Sequence, residues 1–189
     1  FDINGLAIYE NLITNITAST VAFSDGGKGA YGININVGAN TSPAAAGKVN
    51  ASVLAANDIS NLEGLWAHGI GLEGETPNAI VLNNTINNLI DHKGNTDAIG
   101  VLIEDNPGSA TVIISENSFT NMAFGVKNTT TPTVNAECNW FGGMTNAIVS
   151  SKNTGNVDYN PWLVNGSDNN SSVLGFQPVS GSCTGTPVS

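Results

Sequence analysis

Asn83-Asn84-Thr85-Ile86-Asn87-Asn88-Leu89 is a short polar stretch carrying two apolar residues, and it recurs along the chain. Glu10-Asn11-Leu12-Ile13-Thr14-Asn15-Ile16 has the same form. So do Ala56-Asn57-Asp58-Ile59-Ser60-Asn61-Leu62 and Glu116-Asn117-Ser118-Phe119-Thr120-Asn121-Met122. The shared pattern is Asn-x-(Ile/Phe)-x-Asn-(Leu/Met/Ile), with a degenerate fifth copy at Cys138-Asn139-Trp140-Phe141-Gly142.

The copies begin at Asn11, Asn57, Asn84, Asn117 and Asn139, so their separations are 46, 27, 33 and 22 residues. A constant motif at a variable period describes equal structural units joined by unequal loops. A second motif follows in each unit: Gly32-Ile33, Gly69-Ile70, Gly100-Val101 and Gly125-Val126. Each glycine is expected to open a short apolar strand. Another apolar strand precedes the asparagine motif, at Val53-Leu54, Ile80-Val81-Leu82 and Val112-Ile113-Ile114. Three short strands in a turn of roughly 22 residues form one rung of a solenoid. No rung buries its own apolar face, so rungs stack about 4.8 Å apart and like side chains form ladders. The expected fold is all-β, a right-handed parallel β-helix of about five rungs. The asparagines Asn11, Asn57, Asn84, Asn117 and Asn139 are the expected structural ladder. Asparagine tolerates the left-handed backbone region and can hydrogen-bond to its neighbour one rung away.

On these motifs the chain resembles the right-handed parallel β-helix proteins of the pectin-lyase-like superfamily, and especially the repeats of bacterial surface proteins and polysaccharide-active enzymes. The resemblance covers about residues 1–165, with 166–189 left as a tail or linker in which Val173-Leu174-Gly175-Phe176 could add a strand. Asn139-Trp140-Phe141-Gly142 followed by Asp158-Tyr159-Asn160-Pro161-Trp162-Leu163 is similar to the aromatic closing element of such coils. Aromatic side chains and a proline block an open strand edge. No comparable device precedes Asn11. The chain starts at Phe1 inside a repeat-like segment, which reads as a piece of a longer chain. The cap of the first rung is expected from the preceding chain or from another molecule, in the second case a further subunit or a homo-oligomer partner. Residues 38–48 and 91–97 read as loops, and 164–172 as a polar connection.

Composition narrows the function. Five lysines, no arginine and a net charge of −10 exclude a nucleic-acid footprint and binding to anionic membranes. No apolar run is long enough for a transmembrane helix, so membrane insertion is not expected. The acidic, Asn/Thr-rich character suits an extracellular or cell-surface protein. Cys138 and Cys183 form a bridge tying the tail to the last repeat if the compartment is oxidising; the alternative is one buried and one loose thiol.

The lyases that the chain resembles use a Lys or Arg base beside carboxylates that hold Ca²⁺. Without arginine the candidate base is Lys93, in Asp91-His92-Lys93 and close in sequence to Asp97, Glu104 and Asp105. Acids around a lysine raise its pKa, which is the wrong direction for a base. The hydrolases of the superfamily use an Asp-Asp pair and a Gly-His dipeptide, both absent here. His68 therefore reads as a structural histidine, and no catalytic residue is assigned. Glu73, Glu75, Glu104 and Asp105 follow equivalent glycine strands and are the candidate ligands for Ca²⁺. Trp66 and then Tyr31 are the candidate platform for a surface glycan, with Trp66 placed in a variable loop. The functional expectation is a non-catalytic structural or adhesive module of a secreted or surface protein, self-assembling through its coil ends. The alternative is a polysaccharide-binding or polysaccharide-degrading module.

Overall fold

The computed structural model describes residues 2–18, 28–37, 47–94, 96–106 and 108–187. Most of the loop expected at 38–48 lies outside them. The chain is all-β with mostly parallel sheets, and every long sheet is built from the repeated motifs.

The first sheet contains Ala7–Tyr9, Val53–Ala55, Ile80–Leu82, Ile113–Ser115, Val134–Asn135 and Val157–Asp158. The second contains Leu12–Thr17, Asp58–Gly64, Thr85–Asp91 and Ser118–Thr120. The third contains Gly29–Val37, Trp66–Gly74, Ala98–Glu104, Phe124–Asn128 and Asn153–Thr154. In all three sheets chain order is also spatial order, and all pairings are parallel. The chain therefore visits the three sheets in the same sequence on every circuit. An additional pair, Asp2–Asn4 with Lys48–Asn50, joins the beginning of the first circuit to the second.

The circuits are in phase despite their unequal lengths. Ile13, Ile59, Ile86 and Phe119 stand in one row of the second sheet. Ile8, Leu54, Val81 and Ile114 form a row in the first, and Ile33, Ile70, Val101 and Val126 a row in the third. These rows meet in one hydrophobic cluster. Each fully buried Leu or Ile there contributes about 1.5–3 kcal/mol.

The two motifs interlock. A Cβ added at Gly69 would stand 2.7 Å from both the Gly100 carbonyl oxygen and Ile86 Cγ2. Gly32 lies in the same way against Ile59, Gly100 against Phe119 and Gly125 against Phe141. The apolar residue of each asparagine motif thus presses on the glycine of the preceding circuit. These glycines lie within their strands rather than opening them, because the close approach occurs mid-strand.

The asparagines divide two tasks that the sequence reading assigns to one residue. Left-handed backbone falls on the residue before each ladder asparagine: Glu10, Ala56, Asn83, Glu116 and Cys138, with φ between 53° and 57°. It falls again on the second asparagine of the motif, at Asn15, Asn61, Asn88 and Asn121. The first asparagine makes the ladder. Asn84 Oδ1 accepts from the Asn57 backbone N–H at 3.0 Å and from Asn57 Nδ2 at 2.9 Å. Asn84 in turn donates both its backbone N–H and its Nδ2 to Asn117 Oδ1. Asn11 donates to Asn57, and Asn117 to Asn139, in the same two-bond pattern. Spare amide hydrogens reach backbone carbonyls such as Ile8, Leu54 and Val81. Asn57, Asn84, Asn117 and Asn139 are completely buried. They avoid the penalty of buried polar groups because the ladder satisfies them.

Beyond Ser118–Thr120 the second sheet is continued only by a bridge to Trp140, and the short helix Asn146–Ser151 follows. The helix is capped by Thr145, whose side chain accepts from the Ile148 N–H. The expected closing strand is split. Val157–Asp158 completes the first sheet, whereas Trp162–Leu163 pairs antiparallel with Cys183–Gly185. The Leu163 N–H donates to the Asn139 carbonyl, and Trp162 is buried with its Nε1–H on the Met144 carbonyl.

The segment expected as a tail or linker packs onto the molecule. Phe176 is buried; its N–H donates to the Asn83 carbonyl while Asn83 Nδ2 donates back to its carbonyl. The Gly175 N–H donates to Asp58 Oδ1. Residues 173–176 form no strand, because their bonds go to the Asp58 carboxylate and the Asn83 corner instead of to a sheet edge. Cys138 and Cys183 are joined by a disulfide that anchors this return segment. Among the described residues no helix is long and apolar enough to cross a membrane.

Candidate functional site

The third sheet carries the candidate site. Tyr31 in Gly29–Val37 stands in register with His68 in Trp66–Gly74, and their rings meet edge-on at 5.1 Å between centroids. Trp66 is opposite Gly29. A Cβ at Gly29 would fall 1.6 Å from the indole Nε1, so the glycine gives the ring its seat. The sequence reading places Trp66 in a variable loop. Here the connection shrinks to a bend at Leu65, and Trp66 begins a strand instead.

The segment after Thr85–Asp91 brings up the charged groups. Lys93 Nζ lies 4.6 Å from the centre of the Trp66 ring, a cation–π distance. Asp97 takes Lys93 at 3.5 Å on one oxygen and Lys127 at 3.2 Å on the other. Leu102, Glu104 and Thr129 complete the lining of a cleft of about 260 Å³. Lys93, Asp97 and Glu104, neighbours in sequence, thus meet the aromatic pair nominated for a different reason. Lys93 is held between a carboxylate and an aromatic face.

Electrostatics sharpen the picture. Burial lowers the His68 pKa from 6.5 to about 4, opposed by Asp97 and reinforced by Lys127 and Lys93. The ring is therefore neutral at physiological pH, with one nitrogen a donor and the other an acceptor. Neither nitrogen has a hydrogen-bond partner among the described residues. Burial, and then the charge of Glu73, push the Tyr31 hydroxyl up to about 12. Burial followed by Glu73 and Asp105 raises the Glu104 carboxyl. The site offers an aromatic face, a neutral imidazole, a phenol and both signs of charge.

His68 has a measurable consequence for stability. Its folded pKa is depressed, so its full contribution is present above pH 6.5 and is lost as pH falls toward 4. Across that window the unfolded chain takes up a proton that the folded state refuses, at about 1.4 kcal/mol per pH unit. The expected loss by pH 4 is about 3 kcal/mol. Urea unfolding of the protein and of His68→Leu, at several pH values, isolates this term from the carboxylates they share. Parallel pH curves for the two proteins would refute it.

The four carboxylates nominated for calcium are not assembled. Glu73 and Glu104 are in register on adjacent strands, and Glu73 is buried with one oxygen accepting from Asn36 Nδ2 at 2.7 Å. Glu75 is exposed beyond the strand end and Asp105 lies at a left-handed corner. Among the described residues no group of three His, Cys, Asp or Glu side chains could share an ion. The strand's end explains this: Glu73 belongs to the sheet, which stops at Gly74, and Glu75 to the bend after it.

Sequence reasoning missed Lys127, Leu102 and Thr129. The signal was present in the second motif, since Lys127 stands two residues after Gly125 as Leu102 does after Gly100, and the two are paired. A second cavity, of about 280 Å³, lies among Phe119, Met122, Phe141 and Ile148, where the helix replaces a strand. Its one charged lining group among the described residues, Lys152, donates to the Met122 and Ala123 carbonyls. No family model matches the chain, and no curated protein or solved structure gives a significant match.

Proposed function

We propose that the three parallel sheets close into a right-handed β-helix of the pectin-lyase-like kind, and that the chain is a non-catalytic glycan-binding module of a secreted or cell-surface protein. The circuits in phase and the continuous asparagine ladder support the coil. The observation that carries the glycan reading is the cleft around Trp66, Tyr31 and His68. A sugar ring has an apolar face suited to an aromatic platform and hydroxyls that donate and accept at once. The neutral imidazole of His68 offers a donor and an acceptor, both unfilled among the described residues. Asp97, Glu104 and Lys127 supply further polar contacts at the rim.

A structural role is compatible with this reading, since a rigid ladder holds the cleft with little conformational entropy to lose on binding. Catalysis is not part of the proposal. Lys93 and Asp97 are engaged with one another, and Tyr31 at about 12 is a poor base near neutral pH.

A glycan array followed by calorimetry on the best binder tests it. Trp66→Ala is expected to weaken binding at least about tenfold, because the stacking platform is lost. His68→Leu is expected to weaken it by a similar factor without changing the fold. Absence of any glycan ligand, or unchanged affinity in Trp66→Ala, would sink the reading.

A further inference from the structure

We infer, resting on the glycan reading, that the cleft on the third sheet selects an amino sugar with an unacetylated amine, its ammonium against Glu104 and its ring hydroxyls on His68. Glu104 lines the cleft and stands in register with Glu73 on the neighbouring strand. Like charges directly opposite one another in a sheet destabilise it. Among the described residues no lysine lies within ion-pair distance of either carboxylate. Both lysines of the cleft, Lys93 and Lys127, are taken by Asp97. Glu73 accepts only a neutral donor, the Asn36 amide, among its described hydrogen bonds. The Glu104 carboxyl is raised accordingly, by burial and then by Glu73 and Asp105. An ammonium brought in by a ligand relieves this repulsion; a second carboxylate adds to it.

The cleft already holds one ammonium. Lys93 Nζ sits over the Trp66 ring and beside Asp97, an aromatic face and a carboxylate together. His68 separates a sugar from mere positive charge. It is 6% exposed, it lines the cleft, and neither ring nitrogen has a partner among the described residues. A buried polar group without a partner is costly. The neutral imidazole needs one donor and one acceptor, and an ammonium accepts nothing. A sugar hydroxyl does both. The field of the whole chain acts in the same direction, because a net charge of −10 draws in a cationic glycan and repels a polyuronate.

Calorimetry tests this with four probes at one pH just below neutrality: a glucosamine tetramer, its N-acetylated counterpart, a galacturonic acid tetramer and tetralysine. The glucosamine tetramer is expected to bind at least about tenfold more tightly than the other three. Glu104→Gln should remove its advantage over the N-acetylated form. Lys93→Ala reads the sign of the ligand's charge on an exposed segment. It is expected to tighten binding of the glucosamine tetramer about threefold, since it removes a like charge from the Trp66 face. Weaker binding in Lys93→Ala, or equal or tighter binding of the N-acetylated or galacturonic acid tetramer, overturns the amino-sugar assignment. Such a result leaves the glycan reading standing wherever Trp66→Ala still weakens the sugar that binds. Tetralysine matching the glucosamine tetramer also overturns the assignment, with a cationic peptide then the occupant. Binding of no sugar at all removes the glycan reading and the assignment together.

Discussion

Asn84→Leu is expected to destabilise the protein by about 4 kcal/mol. Leucine is close to asparagine in shape, so the cost does not come from a void. It comes from partners left behind. The Asn57 backbone N–H and one Asn57 amide hydrogen lose the acceptor they have among the described residues, inside a region from which water is excluded. Each such group costs about 1–3 kcal/mol. Asn117 Oδ1 and the Leu54 carbonyl also lose a donor. The matched control is Asn11→Leu, at the exposed beginning of the ladder, where nothing donates to the side chain among the described residues. That change is expected to cost no more than about 1 kcal/mol. Urea unfolding of both variants gives the comparison. Equal costs would mean that the ladder is stabilised by backbone pairing alone and that the amides merely accompany it.

This contrast also explains what the sequence made legible. The row of asparagines is visible because the motif survives while the intervals change from 46 to 22 residues. Only a structure that keeps register regardless of loop length preserves it. The glycine motif is visible for a similar reason: the asparagine-motif Ile or Phe needs room above it, and nothing larger than hydrogen leaves that room. The left-handed corners just before the ladder asparagines are not visible in the same way. They fall on Glu10, Ala56, Asn83, Glu116 and Cys138, five positions with almost no common residue type. Backbone pairing on both sides imposes the strained conformation there, and local preference does not.

The cleft was half legible. Trp66 and Tyr31 stand out as aromatics, and Lys93, Asp97 and Glu104 as a charged cluster. That they share one cleft depends on the register of the third sheet and on the connection at Leu65 being only a bend. Lys127 comes from the next circuit, about thirty residues away along the chain. The C-terminal segment misled for the opposite reason. Its Asn, Ser and Gly content describes a linker, and one phenylalanine changes the outcome. Phe176 finds the corner at Asn83, 93 residues earlier, and local composition carries no trace of so distant a contact.

Replacing both cysteines by serine, Cys138→Ser with Cys183→Ser, is expected to cost about 4 kcal/mol, and the tail should be the first part to open. The bridge spans 45 residues, and closing a loop of that length removes about this much conformational entropy from the unfolded chain. The folded side of the balance matters as well. Cys138 sits at the corner whose carbonyl accepts the Glu116 N–H, and its own N–H donates to the Pro161 carbonyl. The bridge thus pins the returning strand Cys183–Gly185 to the last ladder corner. Without it, that strand keeps Trp162–Leu163 as its pairing partner, and the tail keeps Phe176 and two hydrogen bonds at Asn83, one to its backbone carbonyl and one from its side chain. Phe176 alone, when buried, contributes about 1.5–3 kcal/mol, too little by itself to offset ordering a tail of about ten residues at about 1–2 kcal/mol each. The expected result is a two-stage response to denaturant in the double variant. Exchange protection at residues 176–185 should fall before that of the ladder amides at Asn57 and Asn84. The native protein in reducing buffer should behave in the same way. A loss under about 1 kcal/mol, with protection of the tail retained, would show that Phe176 and the antiparallel pair close this end by themselves. A loss shared equally by tail and ladder would instead mean that the closing pair and the parallel sheets unfold as one unit.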